Sequence, residues 1–300
     1  MLKKVRRYLR NPYYALGDDM MRVCPKLMSD KYYIKVIWKQ IMGYPLDLHH
    51  PKTFNEKLQW MKLYDRNPLY TDLVDKYKVK QWVADRIGSE HVIPTLAVYD
   101  SVDEIDISQL PNQFVLKCNH DSGGVVICKD KSSFDFEAAK AKLKKSFEHN
   151  FYWDYREWPY KNVERKIFVE EYLEDLNFGE LPDYKFFTFN GEPYLWFWAR
   201  GRQKDEEVKF DFFSLDCDRM EIKNVHPNSS MDEIQDKPIC LEEMISFSKI
   251  LSKGFKEVRV DFYEVNGKTF FGELTFFHGA GLMPFEPQSV DLMMGNLISI

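Results

Sequence analysis

Residues 258–281 read VRVDFYEVNGKTFFGELTFFHGAG, and their pattern is the starting point for predicting the fold. Apolar and polar residues alternate from Val258 to Tyr263, and a second strand-like run begins at Lys268. Asn266-Gly267 between the two runs is a strong hairpin signal. The stretch therefore predicts two antiparallel β-strands joined by a tight turn.

The register of this hairpin decides whether its charged residues share a face. A strict two-residue turn would place Asp261 opposite Gly272 and point Glu273 away from it. A three-residue loop over residues 265–267 would instead bring Arg259 opposite Glu273. We expect the three-residue loop, because it puts Arg259, Asp261 and Glu273 on one face.

Two buried carboxylates that face each other repel, so a divalent cation between Asp261 and Glu273 would relieve the repulsion. Oxygen ligands favour Mg²⁺ over zinc. A solvated hairpin face that carries ordinary charges is the alternative. The hairpin alone does not decide between the two interpretations.

A second candidate site lies upstream, where Lys117 ends a predicted strand and leads into Asp121-Ser122-Gly123-Gly124. A fixed cation beside backbone N–H donors suits a polyphosphate. The turn is not a Walker loop, because no Gly-Lys-Ser/Thr opens a helix. Tight glycine hairpins are common, so the turn alone does not identify a nucleotide site.

Around these two sites the chain is helical first and strand-rich later. Thr53 and Glu56 form a predicted capping box for a helix that ends near Tyr64. A second helix is predicted from about Thr71 to Ile87. Further strands are predicted at Lys166–Leu173, Tyr184–Phe189 and Pro193–Arg200. The pattern predicts an α+β protein with mostly antiparallel strands and a mainly helical N-terminal region.

Composition and charge exclude some classes of function. The chain of 300 residues can form two or three subdomains, and its 44% hydrophobic content excludes disorder. A net charge of −5 argues against non-specific nucleic-acid binding, so we expect no nucleic-acid partner. Five cysteines without CxxC spacing fit a reducing cytoplasm.

We expect no membrane span and no signal peptide. The first fourteen residues, MLKKVRRYLRNPYY, are basic with interleaved apolar residues. This segment could lie on an anionic surface at the inner face of the membrane. A solvated first helix is the alternative.

The order of these pieces resembles the ATP-grasp superfamily of carboxylate–amine ligases over roughly residues 30–300. The motifs that carry this resemblance follow one another in the order Asp-Lys, the lysine–glycine turn, Glu-Glu-Tyr-Leu, Asp-Tyr-Lys, Arg-Val-Asp and Gly-Glu-Leu-Thr. Four stretches are similar to its teichuronopeptide-biosynthesis-type branch, namely TFNEKLQWMKLYDRNP, KCNHDSGG, DYKFFTFNGEP and GELTFF. This branch is associated with bacterial cell-surface polysaccharides. The resemblance implies two α+β subdomains that grip ATP. It divides the chain into a helical region with one or more strands (1–110), a small subdomain with the glycine-rich loop (111–175) and a large subdomain with the metal site (176–300).

The resemblance also implies a role for each matching residue. Contacts to the ATP phosphates would come from Lys117, by a looser match Lys76, and the closing turn Ser122, Gly123 and Gly124. The adenine hinge would be Glu170, Glu171 and Leu173, and Asp183 would bind the ribose. Positions near phosphate or substrate would be Lys185 and Arg200. Mg²⁺ would be held by Asp261, Glu273 and Thr275, and Arg259 would stabilise the oxyanion of the tetrahedral intermediate.

One position departs from the family pattern, because Thr275 stands where the usual Glu-x-Asn ends in Asn. A hydroxyl is a poorer magnesium ligand than an amide oxygen, so a water or Asp261 could complete the second metal, or catalysis could be weakened. For a general base, the candidates are His120, His226 and His278.

The implied reaction is ATP-dependent amide formation through an acyl phosphate, with ATP and Mg²⁺ as cofactors. An amino acid joined to a sugar acid is the expected substrate pair. A sugar kinase or glycosyltransferase of the same pathway and a non-catalytic nucleotide-binding protein are the alternatives.

Overall fold

The computed structural model describes residues 12–121, 123–175, 181–201, 207–230 and 237–300. The chain forms two compact units. The helical unit comprises Met1–Asn67, Tyr152–Trp158 and Phe277–Ile300, and the sheet unit comprises Pro68–Phe151 and Pro159–Phe276. Ser122 and the basic residues 1–11, both singled out from the sequence, lie outside the described residues. No described helix is long and apolar enough to cross a membrane.

The α-helices are numbered in chain order through the described ranges. They are α1 (Pro12–Val23), α2 (Asp30–Met42), α3 (Phe54–Tyr64), α4 (Leu69–Val74), α5 (Val79–Ile87), α6 (Phe136–Glu148), α7 (Tyr152–Tyr155), α8 (Leu241–Ser252) and α9 (Ser289–Asn296).

In the helical unit, α3 begins at the capping box predicted from the sequence. The Thr53 side chain accepts a hydrogen bond from Glu56 N, and the Glu56 side chain accepts one from Thr53 N. The buried face of α3 carries polar side chains. Gln59 and Lys62 donate to the carbonyl of Ala280, which lies in a left-handed segment with φ +55°. Burial lowers the pKa of Lys62 to about 8.

The single helix predicted over Thr71–Ile87 is wrong, because a turn separates α4 from α5. The Asp75 carboxylate accepts hydrogen bonds from the backbone N–H groups of Tyr77, at 2.9 Å, and Lys78, at 3.1 Å. Such local bonds compete with helical ones. Lys76 N also donates to Asn119 O at 2.9 Å, so this turn is tied to the end of a strand.

The strands all belong to the sheet unit. They are β1 (Thr95–Tyr99), β2 (Phe114–Cys118), β3 (Val125–Cys128), β4 (Ile167–Glu171), β5 (Asp183–Phe189), β6 (Glu192–Arg200), β7 (Lys209–Ser214), β8 (Arg219–Met220), β9 (Glu257–Val265) and β10 (Lys268–Thr275).

These strands form two sheets, with orders β1-β4-β2-β3 and β10-β9-β5-β6-β7-β8, and every pair of neighbouring strands is antiparallel. The α+β class predicted from the sequence is therefore confirmed. β1 precedes residue 111 but pairs with β4 in the smaller sheet. The division at residues 110 and 175 stays a proposal.

Each sheet packs apolar side chains against a helix on one face and carries charged side chains, many of them also buried, on the other. In the smaller sheet, Leu116 and Val169 pack with Leu143 of α6, so strand alternation puts Lys117 and Glu170 on the opposite face. In the larger sheet, Val260 and its neighbours face α8, and the other face carries the alternating residues of β9. The two charged faces position the candidate site.

Candidate functional site

The hairpin of β9 and β10 places its charged side chains on one face, as predicted, but its turn and its register differ from the prediction. The three-residue loop is wrong, because Asn266 and Gly267 alone form the turn, with φ values of +52° and +75°. The register shifts instead at Gly272, and the shift brings Glu273 opposite Asp261. A Cβ at Gly272 would lie 3.1 Å from the carbonyl oxygen of Asp261, so any larger residue would crowd the bulge.

Arg259 joins the acids of the hairpin into one cluster. Its Nε and Nη2 atoms donate to the two carboxylate oxygens of Asp261, each at 2.7 Å. Nη2 also donates to Glu273 Oε1, at 3.2 Å, and to Thr275 Oγ1, at 3.0 Å. The predicted shared face of Arg259, Asp261 and Glu273 is therefore confirmed.

Lys185 connects this cluster to β5. Its ammonium contacts the carboxylate of Asp261 and lies 2.8 Å from Asp183 Oδ2. Burial raises the pKa of Asp261, although the charges of Arg259 and Lys185 oppose that effect. Burial alone would lower the pKa of Arg259, but the Asp261 carboxylate raises it overall. The guanidinium therefore stays charged, although its side chain is only 9% exposed.

The smaller sheet contributes a second buried ion cluster. Glu170 is 5% exposed and pairs with Lys117 through Oε2 and with Lys80, at 2.6 Å, through Oε1. Burial alone would raise the pKa of Glu170, but the two ammonium groups lower it below its ordinary value. One buried carboxylate thus holds two lysines, and Lys80 was not singled out from the sequence. No local signal marks Lys80, because its partner Glu170 lies 90 residues further along the chain.

A buried polar pair holds the turn at Lys76 against the end of β2. Asn119 Nδ2 donates to Asp75 Oδ2 at 2.8 Å, and Asn119 Oδ1 accepts from Lys166 N at 2.8 Å. Both Asp75 and Asn119 are at most 1% exposed. The pair fixes the backbone on which Lys76 lies. Both residues belong to motifs that carry the family resemblance, Asp-Lys and KCNHDSGG, but the sequence analysis gave neither of them a role.

Asp121 shapes the glycine turn between β2 and β3. Its carboxylate accepts from Gly124 N at 3.0 Å and from the hydroxyl of Ser146. A Cβ at Gly124 would lie 2.8 Å from Cys118 Sγ, so the turn closes only with glycine there. Through Ser146, α6 thus contacts the described part of the predicted turn.

Residues from both sheets line a cavity of about 760 Å³ in the sheet unit. The predicted residues that line it from the smaller sheet and its flanks are Lys76, Lys117, Gly123, Glu170, Glu171 and Leu173. The predicted residues that line it from the larger sheet are Asp183, Lys185 and Glu273. Lys76 Nζ lies 3.1 Å from Glu273 Oε2, so the phosphate candidate and the metal candidate touch. Arg259, Asp261 and Thr275 do not line the cavity in the described ranges; they contact Lys185 or Glu273, which do.

Arg200 is not brought to this cavity by the described part of the chain. Ala199 pairs with Asp183, so alternation places Arg200 on the other face of β6. There its guanidinium contacts the Ser229 hydroxyl and lies 3.7 Å from Asp211 Oδ2. A role for Arg200 near phosphate or substrate stays a prediction.

None of the three histidine candidates for a general base lines the cavity, as far as the chain is described. His120 is buried, with Nε2 3.1 Å from His149 O, and burial lowers its pKa. His226 packs against Phe210, and His278 belongs to the helical unit, where its ring stacks on Phe285.

Asp261, Glu273 and Thr275 supply two carboxylates and a hydroxyl, the oxygen donors that Mg²⁺ prefers. The Glu273 side chain is 32% exposed and lines the cavity, whereas Asp261 is occupied by Arg259 and Lys185. Within the described ranges no group of three His, Cys, Asp or Glu side chains is arranged to hold a metal ion. Of the three residues, Glu273 alone lines the cavity, so these donors would suit Mg²⁺ only together with phosphate or water oxygens, and the metal site stays a proposal.

Two antiparallel sheets that face one cavity, one with a lysine and a glycine turn and the other with an acid–arginine hairpin, define an ATP-grasp fold. Residues 56–299 match the protein family described as TupA-like ATPgrasp. The chain belongs to the TupA-like ATP-grasp family, so the resemblance seen in the sequence is confirmed. No curated protein matches the chain.

Several solved structures are similar to the chain at low identity. D-Alanine–D-alanine ligase from Bacillus anthracis, complexed with ATP, is 15% identical with a TM-score of 0.40, over 68% of this chain and 54% of that one. D-Alanine–D-alanine ligase from Helicobacter pylori is 12% identical with a TM-score of 0.45, over 82% and 69%. The ATP-grasp ligase PsnB, with a phosphomimetic variant of its minimal precursor, Mg and ADP, is 9% identical with a TM-score of 0.43, over 87% and 65%. The chain thus spans about half to two thirds of the length of these structures.

Proposed function

We propose that the chain is an ATP-dependent carboxylate–amine ligase that forms an amide through an acyl phosphate. One observation carries the proposal. Lys76, Lys117 and Lys185 line the same cavity as Asp183 and Glu273. Cations for a triphosphate and acids for a ribose and a metal ion therefore share one space. Membership in the TupA-like ATP-grasp family supports the same assignment.

The nucleotide would lie between the two sheets of the sheet unit. Apolar side chains of the lining, including Val115, Phe168 and Leu181, suit the faces of an adenine ring. Backbone groups of Glu171 and Leu173 would bind its edge. We infer that the Glu170 side chain orients lysines instead, because both of its oxygens already hold them.

The phosphates would point toward Lys117, Lys76 and Lys185. Gly123 of the glycine turn lines the same cavity. Mg²⁺, held by Glu273 and Asp261 with Thr275 nearby, would neutralise phosphate charge and polarise the γ-phosphoryl group. Lys76, which pairs with Glu273 at 3.1 Å, would turn from that carboxylate to the phosphate.

The reaction would have two balanced steps. An oxygen of the acid's carboxylate attacks the γ-phosphorus, the bond between that phosphorus and ADP breaks, and an acyl phosphate forms. The amine then attacks the acyl carbon, the bond to phosphate breaks, and the amine loses a proton as the amide forms. Arg259 would stabilise the oxyanion of the second step, since its fork is already oriented by Asp261.

The finer assignment concerns the substrates. We propose that the acid is a sugar acid and the amine an amino acid, in the synthesis of a bacterial cell-surface polysaccharide. The support for this pair is the family to which the chain belongs, and the acceptor could be free, nucleotide-linked, lipid-linked or polymeric.

A mass-spectrometric screen tests both levels of the proposal. Uronic acids and their nucleotide derivatives are paired with amino acids in the presence of Mg-ATP. We expect a product with the mass of acid plus amine minus water, with ADP and phosphate released only when both substrates are present. A phosphorylated sugar without free phosphate would instead identify a kinase. Transfer of a sugar from its nucleotide would identify a glycosyltransferase.

A further inference from the structure

Glu170 holds two lysines where one would balance its charge. Lys117 comes from β2, and its side chain is 19% exposed; Lys80 comes from the first turn of α5, and its side chain is 11% exposed. Lys117 lines the cavity together with Glu170. Lys80 is outside that lining, and Thr95 Oγ1 accepts a hydrogen bond from its ammonium at 2.9 Å. The ammonium also lies 5.2 Å from the centre of the Phe168 ring.

A lysine that binds phosphate must leave the carboxylate that holds it. If Lys117 were the sole partner of Glu170, its departure would leave a carboxylate buried without a cation. Breaking a buried pair in this way is strongly destabilising. Because Thr95 and the ring of Phe168 also contact the Lys80 ammonium, Lys80 can stay at Glu170 and neutralise its charge while Lys117 moves.

We propose that Lys80 is a positioning residue that frees Lys117 to bind the phosphates of ATP. In the nucleotide-free protein both lysines share Glu170. When the triphosphate enters the cavity, Lys117 turns to it and Lys80 alone retains Glu170. The inference rests on the proposed function, and it assigns to Lys80 an effect on nucleotide affinity without contact to the nucleotide.

Calorimetric titration with Mg-ATP tests this inference through a double-mutant cycle. We expect Lys80→Gln to weaken binding by about tenfold or more, because Lys117 can then leave Glu170 only at the cost of a bare buried charge. Lys80→Arg, which keeps the charge, retains most of the affinity. In a Glu170→Gln background, Lys80→Gln has no further effect, because no charge remains to neutralise.

Lys78→Gln is the matched control, since Lys78 directly precedes α5, its side chain is 48% exposed, and it pairs with Asp72 at 3.4 Å. It should bind Mg-ATP like the wild type. If the wild type binds and Lys80→Gln binds equally well, the inference fails while the proposed function stands. An undiminished effect of Lys80→Gln in the Glu170→Gln background would also overturn it, because Lys80 would then act without Glu170. Absence of binding by the wild type would overturn both proposals.

Thermal unfolding without nucleotide gives a second readout that does not depend on ATP. Lys80→Gln and Lys117→Gln should each lower the melting temperature slightly, because the other lysine still pairs with Glu170. The double variant should lose more than the sum of the two single losses. Strictly additive losses would contradict the shared-carboxylate arrangement.

Discussion

Arg259 links more of the site than any other described side chain of the hairpin. It holds Asp261 with a two-point contact and reaches Glu273 and Thr275 with the same nitrogen. A guanidinium presents a planar fork of donors, which an ammonium group cannot reproduce. The hydroxyl of Thr275 takes part by accepting from Arg259. The residue that departs from the family pattern therefore still belongs to the polar network.

Arg259→Lys should show whether turnover depends on the positive charge of Arg259 or on the planar fork of its guanidinium. It keeps a cation beside Asp261 but loses the fork, so we expect turnover to fall by about 100-fold while ATP binding changes little. Phosphate release and calorimetric ATP titration measure the two effects. Arg219→Lys is the matched control, because Arg219 also pairs with a buried carboxylate, Asp211, at 3.1 Å. Wild-type phosphate release by Arg259→Lys would refute the oxyanion role.

Glu257 gives a prediction about pH. It is fully buried on β9, neither carboxylate oxygen has a hydrogen-bond partner in the described ranges, and burial raises its pKa well above the ordinary value. The folded protein therefore keeps a proton that the unfolded chain releases above its ordinary pKa. Over that window the free energy of unfolding falls as pH rises, by up to about 1.4 kcal/mol per pH unit.

Glu257→Gln should remove this slope. The variant and the wild type should have similar melting temperatures near pH 5, and the variant should be the more stable of the two at pH 8. Denaturation curves at both pH values measure the difference. A gap that does not widen with pH would show that Glu257 is ionised in the folded protein.

At the scale of elements, the sequence predicts the hairpin but not the way in which it aligns its acids. The alternation of β9 and the Asn-Gly turn are local signals, and both appear in the structure. The bulge at Gly272 depends on the close approach of the Asp261 carbonyl from the neighbouring strand, which no local pattern carries. The break between α4 and α5 has a similar cause, because Asn119 fixes Lys76 from a distant part of the chain.

Gly272→Ala should damage the site through this bulge. A Cβ would lie 3.1 Å from the Asp261 carbonyl, so β10 must shift, at a cost of about 1–3 kcal/mol in the free energy of unfolding. We also expect phosphate release to fall, because Glu273 moves with the strand. Gly267→Asn is the control: its turn has φ +75° and no atom within 4 Å of an added Cβ, and Asn tolerates this conformation. Equal stability of the two variants would contradict the bulge argument.

At the scale of the whole molecule, residues far apart in sequence meet in the sheet unit. Lys76 contacts Glu273, and Lys185 contacts Asp261. The resemblance to ATP-grasp proteins gave the roles of these residues, but the sequence alone could not show that Lys76 and Glu273 pair. It also could not show that Lys80 shares Glu170 with Lys117, since a lysine on an amphipathic helix usually faces solvent.

The charges around the cavity also bear on which ligands it can bind. At the larger-sheet side of the cavity, three cations, Lys76, Lys185 and Arg259, pair with three carboxylates, Asp183, Asp261 and Glu273. Such a balanced cluster can accept a metal and a polyphosphate together, because each added charge finds an opposite partner already in place.

Isotope labelling tests the acyl-phosphate step by following a single oxygen atom. The acid found by the substrate screen is labelled with ¹⁸O in its carboxylate and converted with Mg-ATP and the amine. If the reaction passes through an acyl phosphate, one labelled oxygen leaves with the phosphate, and mass spectrometry detects a shift of about two mass units in the released phosphate. Amide formation with fully unlabelled phosphate would show that the reaction does not pass through an acyl phosphate.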